Sequence, residues 1–242
     1  MVMMEKLSSG AAALGLPLGP RQLEQFASYY QELVSWNRRL NLTRITDYDE
    51  VQVKHFLDSL TVILAYPVTG DSDCRLIDVG TGAGMPGLPV KILLPEVRLV
   101  LLESVAKKTA FLHHLIEKLK LSNVEIVVGR AENVAHQPEY REGFDLVLAR
   151  AVAPLATLAE LTLPFCTVGG VFIGQKKGAI ELELSQAGRA ISLLGGCLRE
   201  VRQIELAHFS EPRRLVVIDK VAPTPASYPR RAGLPAKRPL AT

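Results

Sequence analysis

The sequence predicts an α/β protein in which a mostly parallel seven-stranded sheet ends in an antiparallel hairpin and is preceded by helices. Short apolar runs alternate with helical patterns over residues 71–221, an order that favours parallel strands with right-handed crossovers. Only the short loop 207–212 joins the last two runs, which forces antiparallel pairing because a parallel crossover needs about a dozen residues or more. With 242 residues, 48% of them hydrophobic, the chain is long enough for one such domain plus an extension.

The extension, residues 1–70, is predicted to be helical. Gly19 and Pro20 open one helix, and a second is predicted near residues 49–64. The polar turn between them carries several arginines, which composition alone fits equally well to a solvated surface or to phosphate contacts. These candidate substrate-binding residues are Arg38, Arg39 and Arg44. The apolar stripe of the first helix follows steps of three and four and consists of Leu23, Phe26, Tyr30, Leu33, Trp36 and Leu40.

Residues 71–221 are predicted to contain the sheet and its crossover helices. The strands are expected at 75–79, 98–103, 124–128, 144–149, 170–174, 199–206 and 214–220. The helices are expected at 86–94, 105–120, 154–165 and 180–193.

The loop after the first strand carries the strongest functional signal. Asp78 ends the apolar run, alternating glycines at Gly80, Gly82 and Gly84 follow, and Glu103 closes the second strand about twenty residues later. Glycines let the backbone turn sharply and approach a ligand, and an acid at the second strand end can accept both hydroxyls of a ribose. This spacing predicts a nucleotide site in preference to a ligand-free strand, turn and helix.

Two cofactors compete for that site. Residues 82–87 also match the dinucleotide spacing, so NAD is one of them. The pattern D-x-G-x-G-x-G resembles motif I of Rossmann-like methyltransferases, which bind S-adenosylmethionine. An NAD loop must accommodate a pyrophosphate at the helix N-terminus, whereas S-adenosylmethionine has no phosphate and carries a positive sulfonium that favours a nearby acid. The final antiparallel hairpin also favours the methyltransferase.

Further candidate residues follow three other strands, at the carboxyl ends where ligands bind in such sheets. Ala131 and Glu132 follow the third strand, in a loop that usually faces the adenine, although Glu132 also suits a helix start. Arg150 ends the fourth strand and is expected to pair with Asp78, Glu103, Glu132 or a substrate phosphate. The fifth strand ends in a lysine pair that is either solvated or in contact with RNA, namely Lys176 and Lys177.

Residues 222–242 form a tail with five prolines, four basic residues and no acid. Proline favours extended chain, so the tail is either disordered or a basic strip along an RNA backbone. We favour the strip, with Arg230 and Arg231 in contact with RNA.

Composition and cysteine content limit the other possibilities. A net charge of +3 and a pI of about 8.8 permit nucleic-acid binding without requiring it. The three cysteines lie far apart without metal-ligand spacing, so we expect reduced thiols, a cytoplasmic location and no metal. The sequence shows neither a membrane-spanning run nor a secretory signal, and we expect no membrane association and a monomer.

Nearly the whole chain resembles the bacterial 16S rRNA guanine-N7 methyltransferase G family, also called glucose-inhibited division protein B. The shared segments are 37–43 (NRRLNLT), 55–59 (HFLDS), 78–87 (DVGTGAGMPG), 104–108 (SVAKK), 129–132 (GRAE), 149–151 (ARA) and 228–233 (YPRRAG). The proline-glycine turn after motif I and the basic proline tail are more specific than the motif itself.

The resemblance implies a class I S-adenosylmethionine-dependent methyltransferase that modifies N7 of one guanine in the decoding region of 16S rRNA. Its partner would be 16S rRNA or the small ribosomal subunit. The cofactor-binding residues, from the motif and by similarity, would be Asp78, Gly80, Gly82, Met85, Glu103, Ser104, Val105, Ala131, Glu132 and Arg150. No side chain is assigned a direct catalytic role, and an NAD-dependent oxidoreductase and a non-catalytic ribosome-assembly factor remain the alternatives.

Overall fold

The computed structural model describes residues 4–66, 74–150, 153–209 and 211–240, which form a seven-stranded sheet with helices around it. The strands are β1 Arg75–Val79, β2 Arg98–Glu103, β3 Val124–Val128, β4 Phe144–Arg150, β5 Cys166–Lys177, β6 Gly196–Ile204 and β7 Arg213–Lys220. They lie in the order β3-β2-β1-β4-β5-β7-β6. Strands β1 to β5 pair in parallel, and β7 lies antiparallel between β5 and β6. The predicted parallel sheet with a final antiparallel hairpin is therefore confirmed.

The crossover helices lie where the sequence predicts them, within a few residues at each end. They are α5 Gly87–Leu93, α6 Ala106–Lys118, α8 Leu155–Thr162 and α9 Glu181–Leu193. The short α7 Ala131–Val134 is an additional helix, at the position where Glu132 suits a helix start. Strand β5 is longer than predicted, since it begins at Cys166 instead of residue 170. The glycines at 169 and 170 read as a loop in the sequence. In the structure Gly169 has a φ of +90° and the pairing of β4 with β5 shifts register there, so the strand continues through an irregularity.

The N-terminal helices pack on one face of the sheet and share its hydrophobic core. They are α1 Glu5–Ala13, α2 Pro20–Leu40 and a continuous helical segment made of α3 Tyr48–Val51, a π-helix Gln52–Leu57, α4 Asp58–Leu60 and a 3₁₀ turn Thr61–Leu64. The stripe of α2 is turned slightly from the predicted one. Phe26, Tyr29 and Leu33 are fully buried, whereas Tyr30 is only half-buried. Tyr29 is buried because it reaches beneath the loop after β1.

The predicted boundary between extension and sheet, at residues 70 and 71, lies outside the described residues, so this division of the chain stays a prediction. Within the described ranges, no helix has both the length and the apolar character needed to cross a membrane. In the same residues, no cluster of three or more His, Cys, Asp or Glu side chains is arranged to hold a metal ion.

Over residues 222–240 the C-terminal tail is folded against the domain, so the expected extended conformation is wrong, whereas its contact with RNA stays a prediction. These residues pack against the loop after β3 and against α8, and they include a short helix, α10 Leu234–Lys237. The physical reason is that the tail satisfies buried polar groups of the domain. One of them is Glu160, whose carboxylate is fully buried and is paired with Arg230.

Candidate active site

The loop after β1 depends on its alternating glycines. Gly80, Gly82 and Gly84 have φ values of +73°, +61° and +91°, in the left-handed region that favours glycine. A Cβ at Gly84 would lie 2.8 Å from the hydroxyl oxygen of Tyr29. That hydroxyl donates a 2.5 Å hydrogen bond to the carbonyl of Ala83, so α2 supports the loop from below.

Asp78 lies below this loop and organises it. Its Oδ2 accepts hydrogen bonds from the Thr81 hydroxyl at 2.6 Å and from the Gly87 amide at 2.8 Å, the latter at the N-terminus of α5. Burial raises the pKa of Asp78 to about 6, against the lowering effect of these two hydrogen bonds. The side chain was predicted as a cofactor contact. Its full burial and its partners give it a supporting position under the loop, and its contact with the cofactor stays a prediction.

Glu103 joins the end of β2 to the glycine loop. Its Oε2 accepts a hydrogen bond from the Gly82 amide at 2.9 Å, and its Oε1 accepts one from the Val105 amide at 2.8 Å. The carboxylate is only 4% exposed, while Ser104 and Val105 beside it are exposed. Each carboxylate oxygen can accept a second hydrogen bond, so this pair of acceptors fits the two adjacent hydroxyls of a ribose, which would donate.

The segment after β3 closes the same edge of the sheet. The Gly129 amide donates to the carbonyl of Glu103 at 3.0 Å, which places α7 next to the end of β2. Ala131 begins α7, and Glu132 is 7% exposed with its Oε1 accepting the Gly233 amide at 2.8 Å. The structure thus brings the motif I loop, Glu103 and Glu132 to one edge, as the sequence predicts.

A cleft of about 250 Å³ opens between the glycine loop and the N-terminal helices. It is walled by three parts of the chain: the turn after α2, the π-helix and the ends of β4 and β5. Basic side chains outnumber acidic ones among its lining residues, which makes the cleft electropositive. The lining residues are Leu42, Thr43, Ile45, Lys54, His55, Asp58, Gly80, Thr81, Gly82, Ala83, Met85, Arg150 and Lys177.

Arg150 reaches this cleft, but its partner differs from the three acids that the sequence suggested. The guanidinium lies 3.4 Å from Oδ2 of Asp58 and donates to the carbonyl of His55 at 3.3 Å. Asp58 makes its shorter ion pair, 2.9 Å, with Arg213 at the start of β7. Because both members of that pair are almost fully buried, Asp58 is neutralised mainly by Arg213, and Arg150 keeps most of its charge available.

His55 is held neutral in the wall of the cleft. Burial, with a further contribution from Arg150, lowers its pKa to about 3. Its Nε2 lies 2.8 Å from the Thr43 hydroxyl, which joins the π-helix to the turn after α2.

The two lysines at the end of β5 have different surroundings. Lys176 is largely buried and contacts the Ala153 carbonyl and the Glu183 carboxylate, each at 2.7 Å. Lys177 is exposed and lines the cleft, and burial of its stem together with Arg213 lowers its pKa. Of the two lysines, it is therefore Lys177 that faces the cleft.

The predicted basic residues outside the cleft also separate into two groups. Arg38, Arg39 and Arg44 are exposed around the turn that supplies Leu42 and Thr43 to the cleft. Of the tail arginines, Arg231 is exposed, whereas Arg230 is committed to Glu160.

Comparison with known proteins identifies the family of this chain. The family model for rRNA small subunit methyltransferase G matches residues 22–214. The chain belongs to this family. Proteins named ribosomal RNA small subunit methyltransferase G are similar to it over nearly its whole length. That of Dehalococcoides mccartyi is 53% identical, over 98% of this chain and 100% of that protein. That of Roseiflexus castenholzii is 52% identical over the same shares.

Solved structures show that this methyltransferase G family member has the class I S-adenosylmethionine-dependent methyltransferase fold. TrmN from Thermus thermophilus gives a TM-score of 0.52 at 19% identity, covering 68% of this chain and 48% of that one. Precorrin-6y C5,15-methyltransferase from Geobacter metallireducens gives 0.50 at 16% identity, covering 68% and 87%. At these identities the likeness concerns the fold alone.

Several site residues of this methyltransferase G family member escaped the sequence analysis. Asp58 and Arg213 are 155 positions apart, and only the fold brings them together. One signal was available: Asp58 is an acid among the apolar residues of a predicted helix, and a buried acid requires a partner. Tyr29 and Thr43 lacked even that signal, because their partners are a backbone carbonyl and a neutral histidine.

Proposed function

We propose that this protein transfers a methyl group from S-adenosylmethionine to N7 of one guanine in the decoding region of 16S rRNA. The observation that supports this most is the electropositive cleft, which lies directly against the glycine loop of a methyltransferase fold. A cleft shared by the cofactor loop and by basic residues suits a base carried on a phosphate backbone. Membership of the methyltransferase G family favours methyl transfer over an NAD-dependent oxidoreductase or a non-catalytic assembly factor.

The cofactor site proposed here lies along the carboxyl ends of β1 to β4. Glu103 would accept the ribose hydroxyls, and the exposed Ser104 and Val105 would lie beside the nucleoside. Ala131 and Glu132 would face the adenine. Gly80, Gly82, Met85 and Arg150 would border the methionine portion, next to the cleft that lines the substrate side. When bound, S-adenosylmethionine supplies the activated methyl group.

The RNA surface proposed here is the rim of the cleft. Arg38, Arg39, Arg44 and Lys177 are exposed around it and would contact phosphates, which position the RNA without reading its sequence. Lys176 and Arg230 are engaged by Glu183 and Glu160, so we do not assign them to RNA. An enzyme acting on this substrate in bacteria would work in the cytoplasm, and we expect it to act as a monomer.

The chemistry proposed here requires alignment more than proton transfer. Guanine N7 has a lone pair and no proton, so no base must act before it attacks the methyl carbon. A neutral His55 in the wall is compatible with this, since it neither removes a proton nor adds a charge. The chain contributes by holding N7 in line with the methyl carbon and the sulfur and by excluding water. Arg150 must leave N7 free, because N7 and O6 together are the usual arginine target on guanine.

Labelled methyl transfer tests the proposal. The protein and methyl-labelled S-adenosylmethionine are incubated in four separate reactions, each with one substrate. The four substrates are 16S rRNA, 30S particles, 23S rRNA and 50S particles. We expect label only in 16S rRNA or 30S particles. Label in none of the four, or equal label in the large-subunit RNA, would contradict the proposal. NAD binding without S-adenosylhomocysteine binding would favour the oxidoreductase.

A further inference from the structure

The C-terminal strap, defined as residues 222–240, runs along the segment that follows β3. Arg141 in that segment donates hydrogen bonds to three strap carbonyls, those of Thr224 at 2.9 Å, Pro225 at 3.2 Å and Tyr228 at 2.9 Å. His136 Nε2 lies 2.8 Å from the Pro229 carbonyl. The strap is therefore fixed along the segment that also carries Ala131 and Glu132.

Arg230 is the central anchor of the strap. Its Nε and Nη2 reach the two carboxylate oxygens of Glu160 at 2.8 and 2.7 Å, and its backbone amide adds a third bond at 2.8 Å. Glu160 lies on α8 and is 0% exposed. A bidentate pair to a fully buried carboxylate fixes both position and orientation, and it cannot be broken cheaply because the carboxylate would remain buried and unpaired.

The far end of the strap reaches Glu132 itself. Three residues after Arg230, the Gly233 amide donates to Oε1 of Glu132 at 2.8 Å. Gly233 has a φ of +81°, a conformation that favours glycine, and it precedes α10, where the Pro235 carbonyl accepts a bond from the Thr157 hydroxyl. The helix that carries Glu132, α7, is only four residues long, and a helix of that length is not rigid on its own.

We propose that the strap positions Glu132 for the cofactor, with Arg230 as the positioning residue that transmits the constraint through Gly233. This rests on the proposed assignment of Glu132 to the adenine side of the cofactor site. One oxygen of Glu132 is held by the strap, which orients the other toward the ligand. The strap thus contributes mainly to cofactor affinity, and its positive charge contributes less to RNA binding.

Arg230→Ala and Arg231→Ala form a matched pair that tests the proposal. Both remove one positive charge from neighbouring positions of the strap, but only Arg230 is bound to Glu160. The measurements are the Kd of S-adenosylhomocysteine by calorimetry, and kcat and both KM values in methyl transfer. For Arg230→Ala we expect the Kd and the KM for S-adenosylmethionine to rise roughly threefold to tenfold, with kcat and the KM for RNA unchanged. Arg231→Ala should match the wild type in cofactor affinity.

Arg230→Lys keeps the charge but loses the bidentate contact, so it should give a smaller rise in Kd than Arg230→Ala. If Arg230→Ala does not fold, the Kd of Arg230→Lys still tests whether Arg230 affects cofactor affinity. Equal cofactor affinity for the Arg230 variants and Arg231→Ala would overturn the strap proposal, even if thermal stability falls, since that pattern describes packing alone.

Glu132→Ala separates this proposal from the one on which it rests. If Glu132→Ala weakens S-adenosylhomocysteine binding but the Arg230 variants do not, only the strap proposal fails. If Glu132→Ala leaves binding unchanged, the assignment of Glu132 to the cofactor fails and the strap proposal fails with it.

Discussion

Replacing Glu103 with alanine should weaken both the glycine loop and cofactor binding. The substitution removes two charge-assisted hydrogen bonds, from the amides of Gly82 and Val105. Bonds of this kind contribute roughly 1.5–3 kcal/mol each. Because Val105 is exposed, water can hydrogen-bond its amide in the variant and recover part of that loss. We therefore expect the free energy of unfolding to fall by about 2–3 kcal/mol. Loss of the proposed ribose contacts should cost a further 1.5–3 kcal/mol of binding, or roughly 10- to 100-fold in the Kd of S-adenosylhomocysteine.

Calorimetry with S-adenosylhomocysteine and denaturant unfolding measure the two effects separately. Glu117→Ala is the matched control, since Glu117 is an exposed acid on α6 and its loss changes the net charge equally. Glu103→Gln retains one acceptor oxygen but turns an NH₂ group toward a backbone N–H, so an intermediate loss is expected. If stability falls while the Kd stays at the wild-type value, Glu103 only holds the loop, and the ribose assignment is refuted.

Three other substitutions test the cleft. Arg150→Ala should lower kcat roughly 10- to 100-fold. The fold should survive, because Asp58 keeps its 2.9 Å ion pair with Arg213. Wild-type turnover with a lower Tm would mean that Arg150 is purely structural. Lys177→Ala should reduce the magnitude of the slope of log RNA affinity against log salt concentration by roughly 0.7–0.9, whereas Lys176→Ala should leave it unchanged. If Lys177→Ala and the wild type have the same slope, Lys177 does not contact an RNA phosphate. Burial lowers the pKa of His55 from the ordinary 6.5 of an unfolded chain to about 3 in the folded protein. Its stabilising effect is therefore complete above pH 6.5 and is lost as pH falls toward 3, by up to about 1.4 kcal/mol per pH unit. Unfolding of His55→Gln between pH 4 and 7 should show a smaller loss, and an identical pH dependence would contradict the buried neutral histidine.

The sheet could be predicted from the sequence because its signals are local. Strands β1 to β4 are compact apolar runs, and the short loop before β7 permits only antiparallel pairing. Prediction was weakest where local chemistry misleads. The glycines at 169 and 170 are typical of a loop, yet β5 passes through them. The prolines of residues 222–242 are typical of an extended tail, yet buried acceptors and donors of the domain hold it in place.

The site was predictable where one loop defines it and unpredictable where distant segments meet. The spacing of Asp78, the glycines and Glu103 predicted that these residues meet at one edge of the sheet, since each lies at or just after a strand end. The partner of Arg150 was not predictable, because three acids near the strand ends were as plausible as Asp58 from the helical extension. Lys177 is exposed whereas Lys176 is largely buried. Two adjacent lysines look alike in a sequence, so this difference could not be predicted.

Mapping the methylated base in 16S rRNA tests the central claim most directly. Small subunits whose rRNA lacks the modification are incubated with the protein and S-adenosylmethionine. The RNA is then reduced with borohydride and cleaved with aniline, which breaks the chain at 7-methylguanosine. The account predicts one new cleavage site, at a guanine of the decoding region, that is weaker with Glu103→Ala when S-adenosylmethionine does not saturate the variant. Methyl incorporation without chain cleavage, or cleavage outside the decoding region, would contradict it.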